Sequence, residues 1–222
     1  MTQLIPEKDK EIIKSEYWSK LTNRVRLIYF DTRREDCQYC STIRNLYREL
    51  TDMSDLLDLD IVYFEDNPEL AKKYEVSAAP TVVLKGANKG LLKFYGLPAG
   101  SEFPNFIDII VKVSNGATDL NREIINKIHK IIRDKVKIKV FITPTCPYCP
   151  RMVSLVFQFA IVSEYVDAEA WEAVEFPEES RRYDVKAVPK TIINEDLSFE
   201  GLVSPEYLLH YIYHALYGAE SK

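Results

Sequence analysis

The sequence predicts an α/β protein made of two consecutive copies of one unit, each a mixed central sheet flanked by helices. Three observations predict it. The chain repeats at a fixed interval, since Cys37 and Cys146, Tyr74 and Tyr183, Val76 and Val185, and Pro80 and Pro189 each lie 109 positions apart. All four cysteines fall in two C-x-x-C pairs, and 43 positions separate the first cysteine of each pair from the matching proline. Helical periods also alternate with strand-like runs in each half and close on an antiparallel hairpin, which implies a sheet covered on both faces. Copies of about 110 residues are of domain size. The expected boundaries are 1–115 and 116–222, with "SNGATD" (114–119) as linker.

In the first half, Pro6 opens a helix to about Leu21, and "VRLIYF" (25–30) is a strand. After Cys37, the residues Ile43, Leu46, Tyr47 and Leu50 stand at helical spacing. "LDIVYFE" (59–65) reads as the second strand. "NPELAKKY" is a short helix with Asn67 as cap and Pro68 at its first position. "PTVVLK" and "LLKFYG" form a hairpin across "GANKG", and "SEFPNFIDIIVKV" is the closing helix. The second half repeats the order: helix 120–133, strand "VKIKVFI", helix from Cys146, strand "EAVEF", helix 177–183, a hairpin about "NED", and helix 204–217. The segment after Cys149, "MVSLVFQFAIV", is apolar nearly all round. Such a helix is buried on every side, so it should pack against the first unit as well as its own sheet.

Bulk properties narrow the function. The 222 residues are 46% hydrophobic and 28% charged, with a formal net charge of −5, as in an ordinary globular protein. Charges of both signs are interspersed, so neither a nucleic-acid face nor a polybasic membrane run is expected. No apolar run approaches the roughly 18 residues of a membrane span. The first ten residues are charged and lack an apolar signal core. A cytoplasmic setting is the expectation, and there a C-x-x-C is more often catalytic or metal-binding than structural.

In both halves the pair follows a strand and opens a helix. The free N–H groups and positive end of that helix stabilise an anion. A thiolate is such an anion, so the first cysteine of each pair should be the more reactive at neutral pH. The second, one turn further in, can attack a mixed disulfide formed by the first. A four-cysteine zinc site would need its two knuckles close in sequence, whereas 105 residues separate Cys40 from Cys146. Two purely structural bridges are the other alternative, although such small loops constrain little of the unfolded chain.

The segment "DNPELAKKYEVSAAPT" (66–81) resembles the central part of thioredoxins, and "CPYC" resembles the glutaredoxin active site. With two C-x-x-C units in tandem, the chain is similar to the protein disulfide oxidoreductases of hyperthermophiles. The resemblance covers nearly the whole length and implies two tandem thioredoxin-fold units. It implies thiol–disulfide exchange on protein disulfides, with reductase, oxidase and isomerase capacity. Cys37 and Cys146 would attack, and Cys40 and Cys149 would resolve. Pro80 and Pro189 would be cis prolines against the disulfides, and a cis proline is rarely accidental. Ala79 and Val188 would offer backbone groups to an extended substrate. The redox-active pairs Cys37–Cys40 and Cys146–Cys149 would serve in place of any cofactor or metal, with a thioredoxin reductase as electron donor.

The chain departs from the thioredoxin pattern in places. Asp36 and Thr145 stand where thioredoxins carry Trp. Asp31 lies near the place of the buried thioredoxin acid, and the second half has Val140 or Phe141 there. "GLPAG" and "GLVSP" replace the Gly-Gly turn of glutathione-using glutaredoxins. His129, His210 and His214 lie on helical stretches and read as ordinary surface or core residues. Tyr39 and Tyr148 would cover the disulfides or gate access, and the acids of "FPEESRRYD" read as a solvated face. Two other functions compete. One is an electron relay like the N-terminal domain of the alkyl hydroperoxide reductase flavoprotein, in which one of the two units lacks its cysteines. The other is a zinc-stabilised binding protein.

Overall fold

In the computed structural model, which describes residues 3–218, the two halves share one eight-stranded sheet. The outermost residues of both expected units, 1–2 and 219–222, lie outside the described residues. The first half runs α1 (Glu7–Ile12), β1 (Val25–Asp31), α2 (Cys40–Thr51), β2 (Leu57–Tyr63), α3 (Pro68–Lys73), β3 (Thr81–Lys85), β4 (Leu91–Tyr95) and α4 (Glu102–Asn115). The second runs α5 (Arg122–Ile131), β5 (Val136–Ile142), α6 (Cys149–Val162), β6 (Val166–Glu172), α7 (Pro177–Arg182), β7 (Lys190–Ile193), β8 (Leu197–Glu200) and α8 (Pro205–Tyr217). The order across the sheet is β2-β1-β3-β4-β6-β5-β7-β8. Each half therefore contributes four strands in the same order, and the halves join head to tail where β4 pairs with β6 in parallel.

Residues of β1 alternate between two cores. Leu27 and Tyr29 pack with the long helices α2, α4 and α6, whereas Ile28 and Phe30 pack with Ala71 of α3 and with Val76. This period of two is what a strand buried on both faces requires. The joint has its own cement. Lys93 Nζ of β4, wholly buried, lies 2.9 Å from both Asp167 and Glu169 of β6. A buried lysine survives only when paired in this way.

The all-round apolar helix packs as expected. The N–H groups of Gly90 and Lys89, in the first half's hairpin turn, donate to the carbonyls of Ala160 and Ile161 at 2.8 and 3.2 Å. They satisfy two orphan carbonyls at the end of α6. A Cβ on Gly90 would collide with the Val166 carbonyl, so the close approach requires glycine there.

Several boundaries differ from expectation. The first helix is not regular to Leu21: α1 gives way to a π turn at Ile13–Tyr17 and a 3-10 turn at Trp18–Lys20, which brings Ile13 and Trp18 into the core. Asn67 is the residue before α3, but its side chain donates back to the Tyr63 carbonyl (2.8 Å) instead of capping the helix. Both active-site helices begin at the second cysteine, Cys40 or Cys149, and not at the first. The strand expected at "EAVEF" is "VDAEAWE" (166–172), buried at all seven positions. Its acids alternate as on a solvent face, and their burial is made tolerable by Lys93 from the other half together with Lys137 of β5.

Candidate active site

β1 and β5 end one loop before a C-x-x-C, so each pair sits at a strand-to-helix corner. Each pair is closed as a disulfide, with Cα atoms 5.6 Å apart for Cys37–Cys40 and 5.5 Å for Cys146–Cys149. The Ala79–Pro80 and Val188–Pro189 peptide bonds are both cis. In the first site Pro80 and Ala79 line the same 230 Å³ cavity as Cys37. In the second, the Val188 carbonyl oxygen lies 3.7 Å from Cys146 Sγ. In the second site the backbone just before the proline thus faces the sulfur.

The two corners are not equivalent. The Cys149 N–H, at the start of α6, donates to Cys146 Sγ at 3.1 Å. This is the helix-end contact that stabilises sulfur anions. Cys146 and Cys149 are 7% and 0% exposed, and Cys40 is 6% exposed, whereas Cys37 is only half-buried. Tyr148 stands 60% exposed beside the second pair. Tyr39 is half-buried.

Charges around Cys37 are mutually satisfied. Arg34 grips both oxygens of Asp36 at 2.7 and 3.0 Å, and this hydrogen bonding holds the Asp36 carboxyl below its ordinary range. Arg33 pairs with Asp66. Asp31 is wholly buried at the end of β1, where it accepts from the Thr32 N–H (2.9 Å), the Tyr29 hydroxyl (3.2 Å) and the Arg44 guanidinium.

Two acids that the sequence did not single out lie near the sites. Glu102, at the first turn of α4, is 1% exposed, and burial pushes its carboxyl up to about 7. The Ser101 N–H beside it donates to the Pro144 carbonyl (2.9 Å), which sets this turn against the loop leading to Cys146. Glu175, half-buried after β6, lines the Cys37 cavity and is raised to about 7, chiefly by burial. No local motif marks either residue. His129 bonds the Val162 carbonyl (2.9 Å), and His210 and His214 meet edge to face at the surface. Among the described residues no three His, Cys, Asp or Glu side chains converge as a metal set would, and no helix is long and apolar enough to cross a membrane.

The thioredoxin domain family matches residues 136–212. The thioredoxin of Methanocaldococcus jannaschii is 35% identical over 79 residues, which are 35% of this chain and 93% of that protein. An alkyl hydroperoxide reductase component of Staphylococcus aureus is 27% identical over 152 residues, 68% of this chain but only 27% of that protein. Among solved structures, a protein disulfide oxidoreductase from Aeropyrum pernix superimposes with a TM-score of 0.86 at 27% identity, covering 98% of this chain and 96% of that one. The alkyl hydroperoxide reductase AhpF of Enterococcus faecalis gives a TM-score of 0.85 at 22% identity, over 95% of this chain and 100% of that one, a likeness of fold. With two C-x-x-C disulfides set at strand-to-helix corners, the chain belongs to the thioredoxin family and is a thiol–disulfide oxidoreductase.

Proposed function

We propose that both pairs exchange with the disulfides of client proteins. In the reducing direction, the Cys37 or Cys146 thiolate attacks a client disulfide, forms a mixed disulfide and expels one client sulfur, which takes up a proton. Cys40 or Cys149 then gives up its proton, attacks the enzyme sulfur and expels the second client sulfur. Two electrons and two protons pass from the dithiol to the client. Ala79 with Pro80, and Val188 with Pro189, align the client backbone. A thioredoxin reductase returns the electrons, and no cofactor is needed beyond the two disulfides. The same dithiols run in reverse as an oxidase and shuffle bonds as an isomerase. The reading sets the protein in the cytoplasm of a thermophile, as the resemblance implies.

The observation that carries this reading is the repetition of one arrangement: a C-x-x-C at a helix start with a cis proline loop against it, in both halves. Insulin reduction by two full-length variants tests it. C37S/C40S and C146S/C149S should each retain part of the activity. Complete loss in either one sinks the two-site reading.

A further inference from the structure

The cavity on which Cys37 opens is walled by both halves. Thr32, Cys37 and Pro80 come from the first, while Val174, Glu175 and Phe176 come from the segment after β6 of the second. Glu175 is the only carboxyl that the second half adds to this wall. Its Oε1 accepts the Leu97 N–H at 2.7 Å, which anchors the side chain across the joint, and its own N–H donates to Glu172 Oε2 at 2.6 Å. The carboxyl therefore has a fixed position in the wall of the cavity that Cys37 of the other half also lines.

Its surroundings leave it free to change charge. The cations that line the adjoining cavity with it are already engaged: Arg34 with Asp36 (2.7 Å), Lys139 with Glu179 (2.7 Å), Arg182 with Glu195 (2.7 Å) and Lys137 with Asp167 (3.3 Å). Glu65 is held by Thr32. Glu172, raised by burial, adds a like charge from beneath, and Glu178 lines the adjoining cavity. Burial first, opposed by the Leu97 bond and reinforced by Glu172, sets the carboxyl at about 7. A base poised near the working pH transfers protons best. Asp31, the first half's own buried acid, is instead committed to Arg44, Tyr29 and the Thr32 backbone. The Tyr29 hydroxyl, which feels the Glu175 charge, also lies 3.4 Å from the Cys40 carbonyl.

We propose that Glu175 is the proton acceptor for the Cys37–Cys40 dithiol, supplied in trans by the second half. In the resolving step the Cys40 thiol passes its proton to the Glu175 carboxylate. The Cys40 sulfur bonds to Cys37 Sγ, the bond from Cys37 Sγ to the client sulfur breaks, and the departing client thiolate takes the proton back from Glu175. Electrons and protons balance without any further reactant. Each disulfide would then have its own pH dependence, because Glu175 shares a cavity with Cys37, and neither of the two cavities it lines is lined by Cys146 or Cys149.

The inference rests on the two-dithiol reading above. Its test uses the full chain with C146S/C149S, so that Cys37–Cys40 alone reports, and follows release of the second thiol from a mixed disulfide with a chromogenic thiol across pH 5–9. The parent should show an inflection near 7. E175Q should lose that inflection and resolve about tenfold or more slowly at pH 8, with E175D recovering part of the rate. In the C37S/C40S background, E175Q should leave the Cys146 site unchanged. An unaltered pH profile in E175Q overturns the inference, as does equal slowing at both sites, which would mark a structural role. An inactive C146S/C149S parent would sink the two-dithiol reading, and this inference with it.

Discussion

Tyr95 of β4 and Trp171 of β6 stack face to face across the joint of the two halves, with ring centroids 3.7 Å apart and planes within 8°. They stand directly opposite each other in the β4–β6 register. Phe176 meets both rings edge-on, at 5.9 and 5.0 Å. Aromatic clusters of this kind add to what area burial alone provides.

The joint should therefore melt with the rest of the chain. Calorimetry should give one transition, and W171A should lower unfolding stability by about 3–5 kcal/mol, the usual cost of removing a buried aromatic. Two separable transitions in the parent would contradict the continuous sheet.

Lys93 supplies the next expectation. Burial raises Asp167 to about 6 although Lys93 pulls it down, so the folded state takes up a proton between about 4 and 6 and stability falls as pH rises through that window. In K93M the acids of β6 lose their buried partner, at a cost of about 3–5 kcal/mol. That penalty should be largest at pH 8 and smaller at pH 5, where Asp167 is neutral. Denaturant titrations at the two values decide it, and a pH-independent penalty would rule out the pairing as its cause.

Glu102 gives a gain where ionisation costs stability. Its folded carboxyl sits at about 7 against an ordinary 4.5, so ionisation destabilises the fold increasingly as pH rises between those values. E102Q should be more stable than the parent by about 1–3 kcal/mol at pH 8 and nearly equal to it near pH 4.5. Urea denaturation at both values reads this directly, and equal stabilities at pH 8 would contradict it.

The two sites should also differ in reactivity. The Cys149 N–H and the α6 end both favour a Cys146 thiolate, and among the described residues no N–H reaches Cys37 Sγ in that way. Burial of Cys146 works against this, but a hydrogen bond to an anion is worth about 1.5–3 kcal/mol. We expect the reduced Cys146 to be the more reactive thiol at neutral pH. C146S should then cost more insulin-reducing activity at pH 7 than C37S, and the reverse ranking would refute it.

The parts of the fold that were legible in the sequence are those fixed by short-range constraints. Pro68 at a helix start, the glycine-bounded "GANKG" hairpin and the cysteine-to-proline spacing each act through neighbouring backbone, and the corner in each half follows from them. The all-round apolar face of α6 even announces the contact between halves. What stays hidden depends on which edges meet. Asp167 and Glu169 read as solvent-facing until Lys93 is opposite them, and for that reason the sequence alone sets the strand at 172–176. Glu175 reads there as one more strand residue, because half of the cavity it lines is built from residues about 140 positions earlier in the chain, such as Asp36 and Cys37.

Because β4 meets β6 head to tail, the finished sheet ends in β2 on one side and β8 on the other, the same kinds of edge that meet in its middle. A rotation that repeats without closing is the recipe for a fibre. Two features prevent further copies from adding on. β8 is only four residues long, and its sequence "LSFE" holds Glu200 and no lysine. β2 presents Asp58 and Asp60, held by Arg24 and Arg26 of its own half. Edge meeting edge would bring Asp58 and Asp60 against a strand with no counterpart of Lys93, and charged, short edges of this kind are how sheets stay solitary.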